Sequence, residues 1–177
     1  ADSSSSVRKT EYSMNAGNTW TTYTQPVVLS KDDTYTITYR SVDECGNMED
    51  AKQLTVPIDR SAPSTIAQIN GTIGRDGWYV SDVTITLSIW DIYSGVLGTE
   101  YNLTVSQAVY NSSKPTHGFV PYTSPILLGQ GSYTLAYRSR DKAGNVEDGK
   151  TIEIRVDKTG PSAALTMNGI PFVNGTV

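Results

Sequence analysis

Cysteine is almost absent. The single thiol, Cys45, has no second cysteine to pair with, so no internal disulfide staples the fold. A lone thiol in a secreted chain is able to pair between molecules, but Cys45 reads more simply as a free thiol in a loop. Histidine is equally scarce. With His117 alone, a metal site of His and Cys lacks ligands, and no Ser-His-Asp or Cys-His pairing can be built in both copies of the repeat described below. Charge is low as well, at 18% of residues, and the 14 basic side chains are outnumbered by 18 acidic ones. No basic run occurs, which argues against a nucleic-acid partner, because phosphate contacts need clustered Lys and Arg. No stretch of roughly 18 or more apolar residues is present to span a bilayer, and no signal-peptide pattern opens the chain. A sustained helical period is missing too.

The space left by these absences is taken by Ser, Thr, Asn, Gly and 11 Tyr. Thr, Val and Tyr suit pleated, half-buried strands. The main organising fact is an internal repeat. Tyr39 to Asp50 reads YRSVDECGNMED, and Tyr137 to Asp148 reads YRSRDKAGNVED. The match continues through Tyr35 and Tyr133, Asp59 and Asp157, Pro63 and Pro161, and Asn70-Gly71 and Asn168-Gly169. Upstream, Thr10-Glu11-Tyr12 matches Thr99-Glu100-Tyr101. Asp2, Ser5 and Val7 match Asp91, Ser94 and Val96. The change of offset implies an insertion in the second copy around Asn111 to Phe119, of the sort surface loops tolerate.

One repeat is therefore about 98 residues, a usual β-sandwich size. Three segments follow: 1–60 as the later part of a repeat whose first strands are missing, 61–160 as a complete repeat, and 161–177 as the opening strand of a third. The joints, IDRSAPS and VDKTGPS, have the proline and small residues of a short, stiff connection.

Within the complete repeat, Ser81 to Trp90 alternates Val83, Ile85, Leu87 and Ile89 with polar residues. Ser132 to Arg140 places Tyr133, Leu135 and Tyr137 on one face. Thr151 to Val156 does the same with Ile152, Ile154 and Val156. This period of two marks half-buried strands. Further strands are expected at Ser64 to Ile69, Val96 to Leu103 and Ile126 to Leu128. About seven short strands, these six among them, with turns between them predict an all-β, immunoglobulin or fibronectin-III-like antiparallel β-sandwich. Leu128 to Tyr133 predicts a tyrosine corner, with the Tyr133 hydroxyl bonded back to the turn; Thr34-Tyr35 supplies its counterpart in the first copy. Asp141 to Asn145 and Asp43 to Asn47 read as hairpin loops. Their Asp accepts N–H bonds within its own turn, and Gly-Asn supplies residues tolerant of positive φ.

These motifs taken together (Asp91, Ser94, Gly95, Val96; Thr99, Tyr101; Tyr133; Tyr137 to Glu147; Asp157 to Pro161; and Gly77-Trp78-Tyr79) resemble the tandem immunoglobulin-like repeats of bacterial and archaeal surface proteins. The resemblance spans essentially the whole chain. It departs at Ser6, which stands where the second copy has Gly95, and at the insertion. It implies extracellular or envelope-anchored modules that serve as spacers, adhesins or accessory domains.

Catalysis finds little support. Asp91, Asp141, Glu147 and Asp148 could be read as paired acid and base groups. However, Asp2, Asp43, Glu49 and Asp50 repeat them in the first copy, as structural residues of an array would. No catalytic, cofactor or metal site is assigned. Asp91, Asp141 and Asn145 are the candidates for calcium, set against a simpler reading in which Asp141 satisfies its own turn and Asp91 caps a bend. For a glycan ligand, Trp20, Trp78, Trp90, Tyr79, Tyr93, Tyr110 and Tyr122 offer flat faces. Tyr93 and Tyr110 are the two expected to be exposed. Sequons at Asn70, Asn102, Asn111 and Asn174 fit an exterior location. The expected function is a non-catalytic spacer or adhesion module at the cell surface, with a carbohydrate-binding accessory module as the alternative. Expected partners are neighbouring repeats, a surface protein or glycan, and copies of the chain itself, recruited by the open side of the incomplete terminal repeats.

Overall fold

The computed structural model describes residues 5–108, 115–163, 166–167 and 170–171. Among them every regular element is a strand, and no helix is long and apolar enough to cross a membrane. Asp2, Tyr110, Asn168-Gly169 and the sequons at Asn111 and Asn174 lie outside the described residues, as does much of the insertion and of 161–177.

The chain divides into two compact units. Unit 1 comprises Ala1–Ser64, Trp90–Leu97 and Ser139–Glu147. Its sheet contains β1 (Val7–Ser13), β2 (Thr21–Thr22), β3 (Asp33–Asp43) and β4 (Lys52–Ile58), in the order β2-β1-β3-β4, all antiparallel. Register sets Tyr12 opposite Tyr39 and Ile37 opposite Leu54. One face carries Tyr12, Ile37, Tyr39, Leu54 and Val56, which line a common groove. On alternate positions the other face carries Glu11, Thr38 and Arg40. Arg40 donates to the Glu11 carboxylate at 2.7 Å and lies 3.9 Å from the centroid of the Trp20 ring.

Unit 2 comprises Thr65–Ile89, Gly98–Arg138 and Asp148–Val177. Its strands are β5 (Ser64–Asn70), β6 (Trp78–Tyr79), β7 (Val83–Trp90), β8 (Val96–Ala108), β9 (Val120–Pro121), β10 (Ile126–Leu128), β11 (Gly131–Asp141) and β12 (Lys150–Val156). They form two sheets, β10-β7-β5 and β6-β12-β11-β8-β9. Period two explains the core. Val83, Ile85 and Leu87 from the first sheet meet Leu103, Tyr133, Leu135, Tyr137, Ile154 and Val156 from the second, all buried. A sheet with one apolar face must cover it, and here each sheet covers the other.

Most predicted strands are present with the predicted faces inward. β10 spans the predicted residues, and β8 runs further than expected, to Ala108. Neither β9 nor the parallel pairing of β6 with β12, which sets Arg155 opposite Trp78, is signalled by a local sequence pattern. In the third segment two short strands, β13 (Thr166–Met167) and β14 (Ile170–Pro171), pair antiparallel with each other, where a single opening strand is expected.

The tyrosine corner is present. Tyr133 is buried and donates from its hydroxyl toward the carbonyls of Gly129 at 3.1 Å and Gln130 at 3.2 Å. In unit 1, Tyr35 donates to the Lys31 carbonyl at 3.2 Å. Tyr133→Phe is expected to destabilise unit 2 by about 1 kcal/mol, because two half-buried carbonyls lose the donor that the buried Tyr133 supplies. Urea denaturation of the variant beside the parent measures this, and an unchanged midpoint would argue that the bond adds nothing.

Candidate functional site

The chemistry-bearing side chains gather in unit 1, where three loops supply one aspartate each. The Asp141 loop follows β11. Its carboxylate accepts from the Gly144 N–H at 2.7 Å, the Asn145 N–H at 2.8 Å and the Asn145 side-chain amide at 2.7 Å. Gly144 has φ +102, so this turn needs glycine. Asn145 is not in the positive-φ region, nor is Asn47, which corrects the expectation for that position. The asparagine serves through its side-chain amide, which also reaches the carbonyls of Asp59 at 3.2 Å and Ser61 at 3.3 Å.

Asp91 follows β7 and accepts from the Gly95 N–H at 2.6 Å. Asp59 follows β4 and accepts from the N–H groups of Ser94 and Ser61, both at 3.0 Å. One carboxylate oxygen from each of Asp59, Asp91 and Asp141 lies within 4.8 Å of the other two. Ser94 and Gly95 tie the Asp91 loop to the Asp141 loop as well. The Ser94 hydroxyl accepts from the Ala143 N–H at 3.2 Å, and the Gly95 carbonyl accepts from the Lys142 N–H at 3.0 Å.

Asp141 is fully buried. Burial alone would raise its carboxyl pKa. The Asn145 amide and the N–H groups of Asn145, Gly144 and Ala143 outweigh that and hold it below the ordinary carboxylate range. In the first copy Asp43 repeats the geometry. The Asn47 side chain and N–H donate to it at 2.8 and 2.7 Å, Ser5 donates at 2.9 Å, and its carboxyl is likewise held down, chiefly by Asn47.

A scan against protein-family models and a search of curated proteins found no match.

Three hard oxygen donors at this spacing are of the type a calcium ion takes. Two of them, Asp91 and Asp141, were sequence candidates. The third, Asp59, was visible only as a repeated joint residue, matched by Asp157. Asn145, the remaining candidate, donates through its amide to Asp141. The backbone bonds of Asp91 and Asp141 are those of a bend cap and a turn that satisfies itself. Of the other acidic candidates, Glu147 is buried and Asp148 is exposed. In the first copy the Glu49 carboxylate accepts from Lys52 at 2.6 Å.

The aromatic candidates separate cleanly. Trp20 is stacked by Arg40, and Trp78 lies under Arg155 at 5.2 Å. Tyr79 packs against the core, and Tyr122 meets Tyr101 edge-on while accepting from the Leu87 N–H at 3.1 Å. Trp90 and Tyr93 are half-exposed, at 48% and 49%, on adjoining stretches of the Asp91 loop. Trp90 is not one of the two aromatics expected to be exposed, and its exposure has a local cause. It ends β7 at an outward position, so the buried alternation stops short of it. His117 is exposed, and so is Cys45. The side chain of Asn102 accepts from Thr116 at 2.8 Å, whereas Asn70 is exposed at the end of β5.

Proposed function

We propose that this chain is a non-catalytic, immunoglobulin-like structural module of a cell-surface or secreted protein, a spacer or adhesion repeat. The observation that carries this reading is that three groups of side chains with chemical promise recur in both copies in the same structural role. Asp43 with Asn47 repeats Asp141 with Asn145. Tyr35 repeats Tyr133. Glu11, Arg40 and Trp20 repeat as Glu100, Arg138 and Phe119, with Arg138 donating to Glu100 and lying 4.5 Å from the Phe119 ring centroid. A catalytic residue has no need of a duplicate at the same place in the next repeat, whereas a turn or a clamp does. The sheet orders of unit 2 and its tyrosine corner support the immunoglobulin-like reading, and the resemblance to prokaryotic surface repeats supports the exterior location.

A second reading, a carbohydrate-binding accessory module, is favoured by the exposure of Trp90 and Tyr93, since flat aromatic faces stack on sugar rings. A glycan array probed with the whole chain decides between the two. The spacer reading expects no saturable binding. Binding that saturates, and is lost in both Trp90→Ala and Tyr93→Ala, would replace it with the carbohydrate reading.

A further inference from the structure

The outer face of the larger unit 2 sheet, turned away from the core, carries a cleft of about 360 Å³. Its lining is Ser106, Ser132, Tyr133, Thr134, Glu153 and Arg155. The sheet order accounts for its shape. β11 lies between β12 and β8, and register sets Ser132 opposite Arg155 and Thr134 opposite Glu153. Two short hydroxyl side chains on β11 form the floor, and two long charged side chains on β12 form one wall. Ser106 stands on the β8 side, where its hydroxyl donates to the Ser132 carbonyl at 3.1 Å. Tyr133 turns its ring to the opposite face, into the core.

The charged wall is not demanded by the fold. In the first copy Thr55 and Pro57 stand where the second has Glu153 and Arg155, while Thr34 and Thr36 keep the hydroxyls of Ser132 and Thr134. The turns and clamps recur in both repeats, and this pair of charges does not. Both side chains are exposed. Arg155 is fixed in place: its Nη2 donates to the Asp76 carbonyl at 2.7 Å, and its guanidinium lies 5.2 Å from the Trp78 ring centroid. Among the described residues, no hydrogen bond or ion pair engages the Glu153 carboxylate. Two residues apart on one strand, the two groups are spaced by roughly 6–7 Å along it. A fixed donor and a free acceptor therefore face the same cleft without neutralising each other.

The lining selects by its chemistry. The carboxylate only accepts, the guanidinium only donates, and each hydroxyl does both. A ligand that fills the cleft has to answer with donors and acceptors side by side, and the hydroxyls of a sugar ring do so. The opposite charges of Glu153 and Arg155 offset each other, so the cleft does not concentrate an anion. Apart from the inward-turned Tyr133, no aliphatic or aromatic side chain lines it. The pockets that an extended peptide needs for its alternate side chains are therefore missing.

We propose that this cleft binds a neutral oligosaccharide. Glu153 accepts from one sugar hydroxyl and Arg155 donates to another, over the hydroxyl floor of Ser132 and Thr134. The inference rests on the adhesion form of the module proposed above and names the ligand class. It is independent of Trp90 and Tyr93, which belong to unit 1.

The test titrates cellohexaose, xylohexaose, mannohexaose and chitohexaose into the isotopically labelled full chain. At least one is expected to give saturable amide shifts at Ser132, Thr134, Glu153 and Arg155, with Kd on the order of 1 mM or tighter. Glu153→Gln keeps the shape of an exposed side chain and removes its charge. It is expected to weaken that binding by about tenfold at an unchanged thermal midpoint. Trp90→Ala and Tyr93→Ala are expected to bind as the parent does. Four results overturn the proposal. No saturable shift with any of the four sugars does so and leaves the spacer reading standing. Shifts confined to the stretch from Trp90 to Tyr93 do so and leave a glycan-binding module with a different site. Unchanged affinity in Glu153→Gln, or equal binding at the cleft amides by inorganic phosphate or by a capped Gly-Ser peptide, would show that the cleft does not select a neutral glycan.

Discussion

Leu135→Ala is expected to destabilise unit 2 by about 2–5 kcal/mol, while Leu54→Ala costs unit 1 about 1 kcal/mol or less. Leu135 is completely buried, at 0% exposure, in a core shared by Val83, Ile85 and Leu87 of one sheet and Tyr133, Tyr137 and Ile154 of the other. Removing its three terminal carbons forfeits their transfer free energy and leaves a cavity that flanking strands, fixed by ladder bonds on both sides, close only in part. Leu54 lies on the corresponding face of the other sheet, opposite Ile37 in register, but is 52% exposed on an open groove. Its truncation removes little buried area and leaves no enclosed void. Denaturation curves resolved by amide exchange, which reports each unit separately, measure both costs. Equal costs at the two positions would mean that the groove is covered in solution by something that packs as β7 does.

Acid is expected to loosen the Asp141 loop, and Asp141→Ala to remove much of that acid response at neutral pH already. Burial drives the Asp141 carboxyl upward, yet the Asn145 amide and three backbone N–H groups hold it below its reference value of 3.8. A carboxyl whose folded pKa is depressed contributes stability that is fully present above its unfolded pKa. That contribution is lost as pH falls through the folded value, because the unfolded chain then binds the proton first. Asp43 shifts in the same direction through Asn47, and Glu11 through Lys9 and Arg40. The thermal midpoint of unit 1 should therefore be flat from neutral pH to about pH 5 and fall below about pH 4. In Asp141→Ala the Gly144 and Asn145 amides lose their acceptor, so their exchange protection should drop at pH 7. The remaining acid slope should be shallower than in the parent. A midpoint that rises below pH 4, or unchanged protection at those two amides, would contradict this account.

Much of the fold was legible because its signals are local. Alternation in Val83 to Leu87 and in Tyr133 to Tyr137 assigns a face to each strand without reference to any other part of the chain, since side chains of a strand must alternate. The same holds for the Asp141 turn and the Tyr133 corner, whose partners lie within four residues. The candidate site was half legible. Asp91 and Asp141 stand out by their repetition, and their bonds to Gly95 and Asn145 are short-range.

The sequence by itself therefore determined the repeated motifs, most strands of unit 2, their inward faces and the self-satisfying turns. Only the tertiary structure decided which distant elements meet. It brought Asp59 to Asp91 and Asp141, laid β6 parallel to β12, and stacked Arg40 on Trp20 and Arg138 on Phe119. It also showed which of two equivalent sheets has its apolar face covered. Contacts of this kind depend on how sheets close and how loops return. Residues with no sequence proximity then share a site, and no local period encodes that.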